Sequence, residues 1–269
     1  MTGEHAGRVA LVTGGSSGIG AGAALELARQ GAAVAVHGIA LAESEELAEA
    51  IRAEGGSAIA LAGPIEDAAT SVDAVAATIE AFGRLDTLVT SAGIQRYGDT
   101  VTTSEELWDE VMGVNLKGVF LAARAALPHL RTSPAGSIVI VASVQATASQ
   151  PTVVAYTASK GALVAMARAM AVDEAAYGVR VNSVSPGSVD TPMLRTAAAK
   201  FTDGSPEAVE RTIADWGTAH ALGRVATMAE VGSVISYLAS PRAAFVTGAD
   251  IRVDGGMLAR VAAALPSRD

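Results

Sequence analysis

A short apolar run, Val9–Val12, leads directly into Thr13-Gly14-Gly15-Ser16-Ser17-Gly18-Ile19-Gly20, and a helix-forming stretch follows over Ala21–Gln30. This junction constrains the fold more than any other segment. A strand that turns sharply at glycines into a helix opens a crossover unit, and such crossovers join parallel strands. The glycines let the chain turn, let backbone approach a pyrophosphate, and let the helix pack close to its strand. The helix start then presents free amides and the positive end of its dipole to phosphate. The spacing is G-x-x-x-G-x-G rather than G-x-G-x-x-G, so the junction marks a phosphate site without matching the general dinucleotide fingerprint.

The rest of the chain repeats the alternation. Strands are expected at Val9–Val12, Ala33–Val36, Ala58–Ala60, Thr87–Val89, Ser137–Val141, Arg180–Val184 and Asp250–Val253. Helices are expected at Ile19–Gln30, Glu43–Glu54, Ala68–Phe82, Glu105–Leu130, Val153–Tyr177 and Ala229–Ala239. Short β-rich runs between helices imply an α/β fold, a parallel sheet covered on both faces. Thr103 with Glu106, and Thr227 with Glu230, have the spacing of capping boxes. One segment, 188–223, carries helical signals but no strand, and so long an excursion suits a substrate-binding lid. At 269 residues, with no repeat and no linker, the chain fits one domain.

Composition narrows the partners. Half of the chain is apolar and only 17% is charged, enough for a sizeable core. The net charge of -9 argues against nucleic acid or an anionic membrane, though not against an anionic cofactor held by backbone amides. The absence of cysteine removes disulfides, thiol nucleophiles and thiolate metal sites. The polar start at Met1-Thr2-Gly3-Glu4-His5 does not read as a signal peptide, and no uninterrupted apolar stretch approaches ~20 residues, so a soluble cytoplasmic protein is expected.

Tyr156 and Lys160 lie one helical turn apart in Ala155-Tyr156-Thr157-Ala158-Ser159-Lys160, and Ser143 ends an earlier strand. Alone, a tyrosine and a lysine at that spacing are commonplace helix neighbours. With the glycine turn they make a site. Reducing a ketone by hydride leaves an alkoxide that needs a proton, and oxidising an alcohol removes one. A phenol of pKa about 10 lies roughly 4 kcal/mol from neutrality, and a nearby ammonium is expected to narrow that gap. Ser143 falls outside the carboxyl ends of the strands, where parallel sheets place ligands. Its hydroxyl is suited to holding the substrate oxygen.

These pieces resemble the short-chain dehydrogenase/reductase family over nearly the whole chain. The likeness rests on TGGSSGIG at 13–20, SAGI at 91–94, VNLKGVF at 114–120, IVIVASV at 138–144, YTASK at 156–160, NSVSPGSVDTPM at 182–193 and VTGADIRVDGG at 246–256. It implies a Rossmann-type doubly wound sheet of about seven parallel strands and a homotetramer (or homodimer). It also implies a catalytic set of Asn115, Ser143, Tyr156 and Lys160, the asparagine helping to hold a proton-relaying water. On the cofactor side it implies Gly14, Ser16, Ser17, Gly18, Ile19, Gly20, Ala92, Gly93, Pro186, Gly187, Val189 and Thr191, together with Tyr156 and Lys160. Asp86 matches an acid that supports the fold.

The chain departs from the family on the adenosine side. Thr90-Ser91 stands where Asn-Asn is common, Pro64-Ile65 where Asp-Val is common, and His37, Gly38 and Ile39 lie at the ribose-selecting strand end. An acid there selects NAD and an arginine NADP. Neither is present, and an uncompensated 2′-phosphate is the costlier ligand, so the expectation leans to NAD. Candidate substrate residues are Gln95, Gln145, Gln150, Met193 and Trp216, with a secondary alcohol or ketone of a sugar, polyol or steroid-like molecule as substrate. Two rival readings remain: a 3-oxoacyl-[acyl-carrier-protein] reductase, with Arg124, Arg131 and Arg168 to meet an acidic carrier, and a non-catalytic dinucleotide sensor or scaffold.

Overall fold

The computed structural model describes residues 3–261. Its strands are β1 (Val9–Thr13), β2 (Ala33–Gly38), β3 (Ser57–Ala62), β4 (Thr87–Thr90), β5 (Ser137–Val141), β6 (Arg180–Pro186) and β7 (Asp250–Val253). Its helices are α1 (Gly18–Arg29), α2 (Leu41–Ala53), α3 (Ala68–Phe82), α4 (Glu105–Met112), α5 (Gly118–Leu130), α6 (Val154–Glu174), α7 (Pro192–Lys200), α8 (Pro206–Gly217) and α9 (Met228–Ala239). All seven strands run parallel in one sheet, ordered β3-β2-β1-β4-β5-β6-β7. This is the Rossmann-type doubly wound architecture that the alternation predicts.

Strand positions alternate between two cores. Val12, Val34, Val36 and Val139 pack with Leu27 of α1, Ile51 of α2 and Ile235 of α9. On the opposite face, Leu11, Leu88, Ile138 and Ile140 pack with Val75 of α3, Val119 and Leu130 of α5, and Leu163 of α6. Both faces are dry, so the strands read as continuous apolar runs. Two glycines let α1 and α9 touch backbone to backbone: a Cβ on Gly22 would lie 2.5 Å from the Met228 carbonyl, and one on Gly232 2.5 Å from the Gly22 carbonyl. Asp86 is fully buried at the foot of β4, where it accepts from the Val9 amide at 2.9 Å, from Arg84 and from Ser133, as a fold-supporting acid should.

Two local expectations need correction. The capping box at Thr227 and Glu230 is formed, but Thr103 does not cap α4. Ser104 does, accepting from the Leu107 amide at 3.2 Å, while the Thr103 hydroxyl bonds to the Asp99 carbonyl. The single helix expected over 105–130 is broken by a π-helical turn, Gly113–Lys117, between α4 and α5. Taken together, that run is long and apolar enough by composition to cross a bilayer, although charged residues interrupt it. Here it instead packs against α3 and α6.

Candidate active site

The strand order reverses between β1 and β4, and a cleft opens at that switch point beyond the carboxyl ends of the strands. Its volume is about 170 Å³. Gly14, Ser17, Gly18 and Ile19 after β1, residues 91–93 after β4, and Val141 at the end of β5 with Ala142 just beyond it wall it on one side. Tyr156, Lys160, Thr191 and Met193 close the other. Parallel pairing places Thr13, Thr90 and Ile140 on one level, which is why loops far apart in sequence meet there.

The four candidate catalytic residues come together. Ser143 is buried and caps a short 3₁₀ turn, its hydroxyl accepting from the Gln145 amide at 3.1 Å. That same hydroxyl neighbours the Tyr156 phenol and acts to lower its pKa. Lys160 is buried and donates to the Val141 carbonyl at 2.9 Å, its ammonium 5.5 Å from the centre of the Tyr156 ring. Asn115 sits in the π-helical turn. Its amide donates to the Ile94 carbonyl at 2.9 Å and to Ser159 at 3.1 Å, and its oxygen accepts from the Ile94 amide at 2.8 Å. Both Asn115 donors are therefore spent on fixing the loop after β4 to α6. Ser159 completes this tie by donating to the Tyr156 carbonyl at 2.7 Å. The sequence hinted at Ser159 only as a polar residue inside YTASK.

The gap that a neighbouring ammonium is expected to narrow is wider here than for a free phenol. Burial dominates and pushes Tyr156 up to about 12, with the Ser143 hydrogen bond pulling the other way. Burial also pushes Lys160 down to about 8, which leaves the ammonium charged at neutral pH.

The glycine turn fits a dinucleotide. Gly14 has φ +66°, and a Cβ there would lie 2.4 Å from the Ala92 amide nitrogen, so no side chain fills the cradle. Ser17 precedes α1 in extended conformation without capping it by its side chain, and the first amides of α1 stay free for phosphate. Thr191 adjoins the turn, where a Cβ on Gly18 would meet its methyl at 3.5 Å. The Thr191 hydroxyl also caps α7, accepting from Leu194 at 3.2 Å. Pro186, Gly187 and Val189 do not line the cleft. His220 holds them: its Nε2 accepts from the Ser188 amide at 3.0 Å, so its Nδ1 carries the proton toward the Gly217 carbonyl.

At the ribose-selecting strand end, His37 is no phosphate ligand. Its ring is buried, both nitrogens lack partners, and burial lowers its pKa, so it stays neutral. Gly38 is sealed, since a Cβ there would lie 2.5 Å from the Ser16 hydroxyl and 2.7 Å from that of Ser44. Ile39 is largely exposed. An acid missing from the sequence reading stands close by: Glu43, in the first turn of α2, accepts from the Ser16 hydroxyl at 3.5 Å. Ile65 is a core residue under Gly118.

A second cleft, about 330 Å³, adjoins the first through Gly93 and Met193 and is walled by Gln95, Tyr97, Thr196 and Lys200. Gln95 and Met193 therefore sit where expected. Gln145, Gln150 and Trp216 line neither cleft. Gln145 accepts from Thr157 at 3.4 Å, Gln150 is exposed, and Trp216 packs on Ala198, Val209 and Ile213 to join α7 to α8.

A glycine cradle at a sheet switch point, beside a serine, tyrosine and lysine, defines a nicotinamide-dependent oxidoreductase. The comparisons agree: residues 14–258 match a family model described as enoyl-(acyl carrier protein) reductase, and the chain belongs to the short-chain dehydrogenase/reductase family. It is 37% identical to an uncharacterised oxidoreductase of Thermotoga maritima, over 94% of this chain and 98% of that one. It is 36% identical to 2-(S)-hydroxypropyl-CoM dehydrogenase 3 of Xanthobacter autotrophicus, over 96% of this chain and all of that one. The ligand-free aldohexose dehydrogenase of Thermoplasma acidophilum superposes with a TM-score of 0.90 at 30% identity, covering 99% of this chain and 100% of the other. Members of this family act on alcohol and ketone substrates.

Proposed function

We propose that this protein is an NAD-linked dehydrogenase or ketone reductase acting on a secondary alcohol or ketone of a free small molecule, with Tyr156 exchanging the proton. The convergence of Tyr156 and Lys160 on a cleft beside the glycine turn, with the Ser143 hydroxyl next to the Tyr156 phenol, carries this reading. A bound nicotinamide dinucleotide supplies or accepts the hydride. Ser143, oriented by the Gln145 amide, donates to the substrate oxygen. At neutral pH Tyr156 keeps its proton, ready for the alkoxide that ketone reduction produces. Lys160, charged below pH about 8, favours the phenolate left behind. Asn115 acts through position, holding Ile94 and α6 in register.

The chain works as one dinucleotide-binding domain, residues 188–223 serving as its substrate lid. Supply of the dinucleotide places that work in the cytoplasm. Exposed apolar side chains on α5, α6 and the segment before β7, namely Phe120, Val172 and Phe245, are suited to assembly as a homotetramer. Light scattering should return about four chain masses, and a monomer at working concentration would contradict this.

For the cofactor, a sealed Gly38, a neutral His37 and the carboxylate of Glu43 all disfavour a 2′-phosphate. Fluorescence titration should show NADH binding more tightly than NADPH, and Glu43→Gln should narrow the difference about threefold to tenfold. Tighter NADPH in the wild type would refute the preference, and an unmoved ratio would clear Glu43. The matched family model favours a second reading, a reductase of carrier-bound acyl groups. Against it, Arg131 is spent on Glu174 at 2.7 Å. Turnover of a 3-oxoacyl carrier thioester with none of free ketones would reverse the order.

A further inference from the structure

The larger cleft has a charge character opposite to that of the chain. Overall, 19 basic residues face 28 acidic ones, yet this cleft is lined by Arg96 and Lys200 and by no carboxylate. The two cations are not equivalent. Arg96 is neutralised by Glu110, which accepts at 2.6 and 3.0 Å. Lys200, one of only three lysines in the chain, has no carboxylate within 4.0 Å and no hydrogen-bond acceptor among the described residues. Its ammonium instead lies 4.6 Å from the centre of the Tyr97 ring. Tyr97 is held edge-on by Phe201, with centroids 5.1 Å apart. It also lies close enough to Tyr156 to bear on that phenol's charge.

Tyr156, Tyr97 and Lys200 thus form a path leading out from the reacting centre through the shared Gly93 and Met193 wall. A substrate with its carbonyl at Tyr156 that extends into the larger cleft would pass Tyr97 and reach the lysine. We propose that the substrate carries an anionic group, such as a carboxylate, sulfonate or phosphate, at the end remote from its carbonyl, and that Lys200 holds it. A free ammonium seated beside an aromatic face gives a charge-assisted contact to such a group and none to a neutral one. This assignment rests on the dehydrogenase reading and narrows its substrate class.

The test uses two readouts. With NADH, the reduction of 4-oxopentanoate, 6-oxoheptanoate and 8-oxononanoate is compared with that of their methyl esters. One acid in the series should exceed its ester in kcat/KM by about tenfold, the size of one charge-assisted contact. That acid-to-ester ratio should collapse in Lys200→Met and invert in Lys200→Glu, and 0.5 M salt should shrink it. Independently of turnover, calorimetry on the NADH complex should find heptanoate binding about tenfold more tightly than heptan-1-ol, with the advantage lost in Lys200→Glu. Equal binding of acid and alcohol, or a ratio indifferent to Lys200→Glu, would overturn the assignment. Acid-selective binding without reduction of any ketone would instead uphold Lys200 and count against the dehydrogenase reading.

Discussion

Lys160 shows what the site costs the fold. Its ammonium is buried beneath the cleft with one carbonyl partner, and burial lowers its pKa from 10.5 to about 8. At about 1.4 kcal/mol per pKa unit, holding it charged costs the folded state roughly 3 kcal/mol. Below pH about 8 the folded and unfolded chains are both protonated there, so the full cost is present. Between about 8 and 10.5 the unfolded chain binds more protons, and stability rises with pH. Lys160→Met should therefore raise the unfolding free energy measured in urea at pH 7, by up to about 2 kcal/mol once the stranded Val141 carbonyl is counted, and destroy turnover. The stability gain should shrink toward pH 10. A less stable variant at pH 7 would show that the lysine is a structural asset.

Elements were the most legible scale, because strand and helix periods are written locally. β5 and β7 coincide with the sequence expectation end to end, and so does α3. The paired start Thr227 and Glu230 was legible because both partners of the capping box lie in one turn. What escaped depends on packing between elements. The π-helical turn at Gly113–Lys117 has no compositional signal and is visible only because Asn115 must reach Ile94 and Ser159. Glu43 lies outside any motif, and its approach to Ser16 follows from how α2 returns beside β2. Trp216 reads equally well as pocket or core until α7 is seen against α8. The upward shift of Tyr156 escapes the sequence because spacing reports a neighbouring charge but not burial.

At the scale of the molecule, the sheet gathers chemistry from the chain's whole length to one edge. Turns after β1, β4, β5 and β6 meet there because parallel strands all end on the same side. An acidic chain can meet anionic ligands through local devices rather than overall charge. On the proposed reading, free amides at α1 would serve the dinucleotide, and a lone lysine on α7 the substrate. The account stands on Tyr156 as the proton exchanger, and one variant isolates that role. Tyr156→Phe keeps the ring, its packing and the cleft, and removes only the hydroxyl. In a rapid-mixing experiment with NADH and a ketone that the wild type reduces, the account predicts NADH binding within about twofold of wild type. Hydride transfer should be slowed by a factor of about 10² to 10⁴. Hydride transfer at the wild-type rate, with binding intact, would contradict it.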